Sequence, residues 1–332
     1  MVSEHDLDAI AAEARFSGVV QVDRGNEVVV TRAYGFADRG HGIPNEVETQ
    51  FAVASGLKGL TALAVVSLIA DGTLELGTTA RSLLAEDLPL IADDVTVEHL
   101  LAHRAGIGDY LDEDAGGDVT DYVMPVPVHQ LATPEEYVPV LAGHEAKFAA
   151  GTSFSYCNGG FVVLALLAER ASGIPYHELV AQRVCEPAGM RDTAFLRSDE
   201  LPGRAAVGYL FADGLRTNVL HLPVRGVGDG GIYTTAADAR ALWLAVVGGL
   251  IVPSEWLVEM TSPRSEVREG WQYGLGFWLR ASSKAVVLEG YDAGVSFRSL
   301  HDPAADLTCT VISNWSDGAW PVVEHLQEAL EL

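Results

Sequence analysis

The sequence predicts an α/β chain of the α+β kind, in which an antiparallel sheet flanked by N- and C-terminal helices carries an inserted, mainly helical region. Three observations predict it. Runs rich in β-branched residues lie near both ends, helix start signals cluster in the middle, and no repeat, low-complexity tract or Pro/Ser-rich linker divides the two. The expected organisation is one unit over 1–332, with an α/β region at about 1–80 and 225–332 and a helical region at about 81–224.

The elements follow in order. An amphipathic helix is expected over 7–14. Strands over 19–22 and 27–32 are separated by Asp23-Arg24-Gly25-Asn26, the turn chemistry of a hairpin. Near the other end, 274–279, 285–289, 296–301 and 307–314 read as strands, before a last helix over 321–330. Antiparallel pairing of these with the first strands joins the chain ends in one sheet. Between them, 56–70 is a long apolar helix stopped by Asp71-Gly72, and helices are expected over 97–103, 134–141 and 161–171. Thr133-Pro134-Glu135-Glu136 has the form of a capping box with proline in the first turn, and Thr235 with Asp238 that of a second.

Composition excludes several functions. The net charge is -25, from 46 acidic against 21 basic side chains, and that field repels phosphate backbones and anionic lipid headgroups. Neither nucleic acid nor a membrane is an expected partner; a small-molecule or short-peptide substrate is. The first residues, Met1-Val2-Ser3-Glu4-His5-Asp6, lack the basic and apolar regions of a signal peptide, and the apolar stretches 60–70 and 161–168 are too short to span a bilayer, so a cytoplasmic protein is expected. Cys157, Cys185 and Cys309 are an odd, widely spaced set that suits reduced thiols, and no pair has metal-ligand spacing.

The chemistry centres on Phe51-Ala52-Val53-Ala54-Ser55-Gly56-Leu57-Lys58. A serine at the first turn of a helix and a lysine three residues later share one helical face, and the helix N-terminus favours the negative charge that develops when serine attacks a carbonyl. No charged residue occurs over 59–70, so this helix is expected to be buried; a lone lysine at its start then needs a reason. Burial or a neighbouring charge that lowers its pKa would make Lys58 a base. The second piece, Phe154-Ser155-Tyr156-Cys157-Asn158-Gly159-Gly160, puts a phenol and an amide at a loop-to-helix junction. Tyr156 beside Lys58 is expected to lose its proton more readily and act on Ser55, while Asn158 is placed to bond either a substrate amide or the lysine.

These segments, with Asp71-Gly72-Thr73-Leu74-Glu75-Leu76, the stretch Val95-Thr96-Val97-Glu98-His99-Leu100-Leu101-Ala102-His103-Arg104-Ala105-Gly106, Gly228-Asp229-Gly230-Gly231-Ile232-Tyr233-Thr234-Thr235 and Tyr273-Gly274-Leu275-Gly276, occur in an order that resembles the class C β-lactamase-related serine hydrolase family. The resemblance covers most of the chain. It implies a β-lactamase/transpeptidase-like fold and a catalytic set of Ser55, Lys58 and Tyr156, with Asn158 in the second motif. The activities it implies are those of β-lactamases, D-alanyl-D-alanine carboxypeptidases, D-amino-acid peptidases, esterases and acyltransferases. No cofactor and no metal are implied.

The third motif departs from the family pattern. Where relatives carry Lys-Thr-Gly or His-x-Gly, this chain has Gly290-Tyr291-Asp292-Ala293-Gly294. The resemblance implies an oxyanion hole from the backbone N–H groups of Ser55 and Gly294, with Tyr291, Asp292 and Ala293 contacting substrate. Two like charges ~4 Å apart repel by about 4 kcal/mol at an effective dielectric near 20, so Asp292 disfavours penicillin-like carboxylates. The expected substrate is therefore a neutral or cationic ester or amide, unless Arg298 reaches the site and restores anion binding. The alternatives are a β-lactamase or D-alanyl-D-alanine carboxypeptidase, an acyltransferase, and a catalytically degenerate ligand-binding module. Gly226-Val227-Gly228-Asp229-Gly230-Gly231 reads as a tight turn lining the cleft rather than a dinucleotide loop, and His99 and His103 as packing groups rather than metal ligands.

Overall fold

The structure, a computed structural model, describes residues 4–330. Its main sheet has eight antiparallel strands: β1 (Gly18–Arg24), β2 (Glu27–Tyr34), β3 (Ser265–Arg268), β4 (Trp271–Tyr273), β5 (Trp278–Arg280), β6 (Val286–Asp292), β7 (Val295–Asp302) and β8 (Leu307–Ser313), in the order 2-1-8-7-6-5-4-3. The β1–β8 pairing joins the two chain ends, with Val20 opposite Val311.

Alternation along the strands builds two layers. Val19 and Ile312 face the main core, whereas Val20, Val22, Cys309 and Val311 face the terminal helices Glu4–Glu13 and Trp320–Leu330. On the other face lies the helix Leu57–Ala70, buried from Leu57 through Ile69, packed between the sheet and the helix Asn158–Ser172. Gly59 allows the close approach: a Cβ there would lie 2.2 Å from Leu288 Cδ2. Burying about a dozen side chains of this one helix, at 1.5–3 kcal/mol for a large aliphatic residue, makes it the centre of the fold.

Several expected elements differ. Of the single strand expected over 274–279, residues 274–277 are the turn between β4 and β5 and Trp278 and Leu279 begin β5, because Gly276 takes φ +84° and the chain folds back to pair Tyr273 with Trp278. The helix over 97–103 ends at Leu101, and His103 adopts φ +54°. The stretch 134–141 is a 3-10 turn, Pro134–Tyr137, followed by a short helix, Val138–Leu141. Thr133 makes no capping bond there; Glu136 instead accepts the N–H of Ala132 at 2.9 Å. Thr235 does cap its helix, accepting the N–H of Asp238 at 3.1 Å. Among the described residues no helix is long and apolar enough to cross a membrane.

Candidate active site

The strand Phe51–Ala52 pairs with Tyr233–Thr234 and delivers the chain into a 3-10 turn, Ala54–Gly56, from which the buried helix departs. Ala54 takes φ +43°, a conformation that costs a residue with a Cβ of order 1–3 kcal/mol. The strain falls on the residue before Ser55 and fixes the angle at which the serine leaves the turn.

Lys58 is 2% exposed, and its Nζ donates three hydrogen bonds: to Ser55 Oγ at 2.9 Å, Asn158 Oδ1 at 2.8 Å and the Asp229 carbonyl at 2.8 Å. All three donors are used on neutral acceptors. Burial pushes the Lys58 pKa down, opposed by the charges of Asp229, Glu113 and Asp109. Tyr156 also hydrogen-bonds Ser55, yet burial, with Glu113 nearby, holds its phenol well above the usual tyrosine range. The expectation of an easily ionised Tyr156 is thus reversed. Desolvation penalises the phenolate, and the surrounding carboxylates oppose it further. Burial thus moves Lys58 toward its neutral form and disfavours ionisation of Tyr156.

Asn158 is fully occupied within the protein. Its Oδ1 holds Lys58, and its Nδ2 donates to the Leu111 carbonyl at 3.1 Å and to Glu113 Oε1 at 3.0 Å. Of its two expected uses, the structure fills the lysine contact and leaves no amide donor for substrate. Its backbone N–H and that of Gly159 bond Asp109 at 2.6 and 2.8 Å, so a buried carboxylate caps this helix.

The third motif is arranged differently from expectation. Gly290 is the residue beside Ser55: a Cβ there would lie 2.0 Å from the Val53 carbonyl and 3.0 Å from the N atoms of Ser55 and Gly56. Gly290→Ala is therefore expected to displace the serine turn and slow labelling of Ser55 by a fluorophosphonate more than tenfold, as read by intact mass against circular dichroism of the same sample. Gly294 cannot serve an oxyanion, because its N–H is spent on Ser316 Oγ at 2.9 Å. In the two-residue hairpin that pairs Asp292 with Val295, the bonded pairs include Gly290 with Phe297, so the N–H of Tyr291 points off β7, toward the Ser55 side. Alternation turns the Tyr291 side chain to the opposite face, where it packs on Trp320 with a centroid distance of 5.9 Å. Arg298 lies on that far face too, bonded to Glu289 at 2.6 Å and placed over Trp271 and Trp320, and it does not reach the site. Ala293 is fully buried, with its carbonyl bonded to Asn218 at 2.9 Å, and makes no cleft wall.

Asp292 does face the cleft. It joins Ser55, Asn158 and Asp229 around a cleft with apolar walls that include Leu196, Leu222, Pro223 and Val224. Asp229 arrives on the glycine-rich turn, whose Val227 and Gly230 bridge each other. Its carboxylate accepts a bond from the Tyr110 hydroxyl, and burial pushes its pKa up to about 6 against the pull of Lys58. Burial and the nearby Asp229 and Glu113 raise Asp292 to about 7. Four carboxylates, Asp109, Glu113, Asp229 and Asp292, thus surround one lysine. Only Asp292 was visible as a site residue in the sequence. Asp229 sat inside the glycine-rich run already read as cleft lining, whereas Asp109 and Glu113 lie in a polar loop with no motif.

The histidines serve locally. His99 and Thr96 form a reciprocal cap, each contact 3.3 Å, and His103 Nδ1 accepts the N–H of Cys157 at 3.0 Å beneath the Tyr156 ring.

Comparison with known proteins adds the following. The family model described as beta-lactamase matches residues 5–332. The chain is 35% identical over 219 residues to esterase EstB of Burkholderia gladioli, covering 61% of this chain and 53% of that protein. It is 30% identical over 230 residues to a D-aminopeptidase of Cereibacter sphaeroides, covering 68% and 42%. It superimposes on a penicillin binding protein from Bacillus halodurans with a TM-score of 0.92 at 33% identity, covering 98% of this chain and 99% of that one. The chain spans about two fifths to two thirds of the length of the curated relatives it matches.

Proposed function

Because the chain belongs to the beta-lactamase family, we propose that it is a serine hydrolase that forms an acyl-enzyme at Ser55 and acts on esters or amides whose acyl part is neutral or carries an ammonium group. The observation that carries the reading is Lys58, buried and hydrogen-bonded to Ser55 Oγ at 2.9 Å. A small molecule or short peptide is the substrate.

In the acylation step Lys58 takes the serine proton as Oγ bonds to the carbonyl carbon. The backbone N–H groups of Ser55 and Tyr291 hold the resulting oxyanion, which gathers charge beside the helix N-terminus. The bond to the leaving group then breaks with its electron pair on the leaving atom, which takes the Tyr156 proton. Tyr156 regains one from the Lys58 ammonium, which shares Ser55 Oγ with it. Water attacks the ester and repeats the sequence, releasing the acid.

The charge preference is supported by Asp229 and Asp292 at the cavity and by Glu113 and Asp109 behind them. Arg298 is engaged on the far face of the sheet, so it supplies no compensating cation. The similarity to an esterase and to a D-aminopeptidase fits this preference, and the free, buried Cys157, Cys185 and Cys309 fit a reducing compartment such as the cytoplasm. Acyl transfer is the second reading: the same acyl-enzyme passes its acyl group to an alcohol or amine acceptor in place of water.

Turnover of three matched p-nitrophenyl esters, with an ammonium, a methyl or a carboxylate at the end of the acyl chain, tests the reading. The expected order of kcat/KM is ammonium, then methyl, then carboxylate. A carboxylate ester turned over fastest contradicts it.

A further inference from the structure

The structure assigns a second subsite beside Tyr156, a shelf formed by Trp278 and Phe154 that takes an aromatic leaving group. The assignment rests on the acyl-enzyme reading above and divides the substrate between the acidic cavity and this shelf.

Tyr156 is the pivot. Its hydroxyl bonds Ser55 and keeps its proton, which suits it to protonate the departing atom. Such a transfer requires the leaving atom within about 3 Å of the hydroxyl. The group attached to that atom then extends along the Tyr156 flank, and that flank is aromatic. Trp278 stacks on Tyr156, with centroids 5.9 Å apart and planes 15° from parallel, and Phe154 meets Trp278 edge-on at 6.4 Å.

Trp278 is held rigidly from behind. Tyr273 meets it edge-on at 5.0 Å and Trp271 at 6.2 Å, each nearly perpendicular. Trp278 and Phe154 are nevertheless only half-buried. Neither is among the residues that line the cavity holding Asp229 and Asp292; Ser55 lines that cavity, and Tyr156 connects it to the aromatic rings through its bond to Ser55 and its stacking on Trp278. Fixed, partly exposed rings beside a proton donor favour a flat apolar group, through buried area and ring stacking. The acyl part, with any ammonium, enters the acidic cavity; the aromatic leaving group rests on the shelf.

Ethyl, cyclohexylmethyl and benzyl esters of one amino-acyl group test this in the full chain. The wild-type protein is expected to favour benzyl over ethyl in kcat/KM. Trp278→Ala is expected to lower the benzyl-to-ethyl ratio about tenfold, and Trp278→Phe to restore most of it. Phe154→Ala, farther from Tyr156, is expected to lower the ratio about threefold and keeps the test open should Trp278→Ala misfold. If both esters slow together and the ratio holds, Trp278 only braces Tyr156 and the subsite is overturned. If the wild-type protein turns over none of the esters, the acyl-enzyme reading fails and the subsite with it.

Discussion

Lys58→Ala is expected to slow acylation of Ser55 by at least about a thousandfold, the upper part of the range for losing a proton-transfer group. The loss removes the group bonded to Ser55 Oγ and leaves Asn158 Oδ1 and the Asp229 carbonyl without their donor. It also strips Asp109, Glu113 and Asp229 of the cation they surround. Burst kinetics with an activated ester reads the step directly. Small alkylamines are expected to recover part of the rate by entering the space the side chain vacates. A variant that acylates at the wild-type rate would remove Lys58 from the mechanism. Because burial lowers the lysine pKa, the rise of kcat/KM with pH for a neutral ester is expected below the ordinary lysine value of 10.5.

The second large effect concerns charge. Replacing Asp229 and Asp292 together by Asn is expected to cut the preference for ammonium over carboxylate esters about a hundredfold, which corresponds to about 2.7 kcal/mol. That is smaller than the sum of two close charge contacts at about 4 kcal/mol each, as water in the cleft screens them. The wild-type preference also has a pH signature. Burial lifts Asp229 to about 6 and Asp292 to about 7; Asp229 faces Lys58, Tyr110 and Asp109, and Asp292 faces Asp229, Glu113 and Lys58. The ammonium ester should therefore gain on the neutral one between pH 5 and pH 8, and the double variant should lose that gain. Stability moves the other way. The folded-state values lie above the ordinary aspartate value of 3.8, so the folded protein binds more protons than the unfolded chain, and its stability falls as pH rises through this window. The double variant is expected to melt above the wild-type protein at pH 8, with the gap closing at pH 4. An unchanged substrate ratio would mean that neither carboxylate meets the substrate.

How much of this was legible in the sequence differed by element. β1, β2 and the strands β6 to β8 were readable because β-branched runs and turn residues act locally, and the 56–70 helix because it carries no charge after Lys58. The contact between Ser55 and Lys58 was readable because a spacing of three residues on a helix puts two side chains on one face. The expected strand over 274–279 misled because apolar residues of a tight hairpin look like one strand until Gly276 is seen at positive φ. The third motif misled for a related reason: which backbone N–H of the hairpin is left free to point off β7 depends on register, and Ser316, which captures the Gly294 N–H, lies 22 residues away. The proton bookkeeping was out of reach altogether. Whether Lys58 or Tyr156 is the base depends on burial and on Glu113 and Asp229, which only the folded chain brings to them.

Intact-mass analysis after mixing the protein with an activated ester, a fluorophosphonate and, separately, a penicillin shows whether Ser55 is acylated and by what. Adducts with the ester and the fluorophosphonate that disappear in Ser55→Ala are expected, and little or none with the penicillin. An adduct that survives Ser55→Ala, or prompt labelling by penicillin alone, would contradict the proposed function.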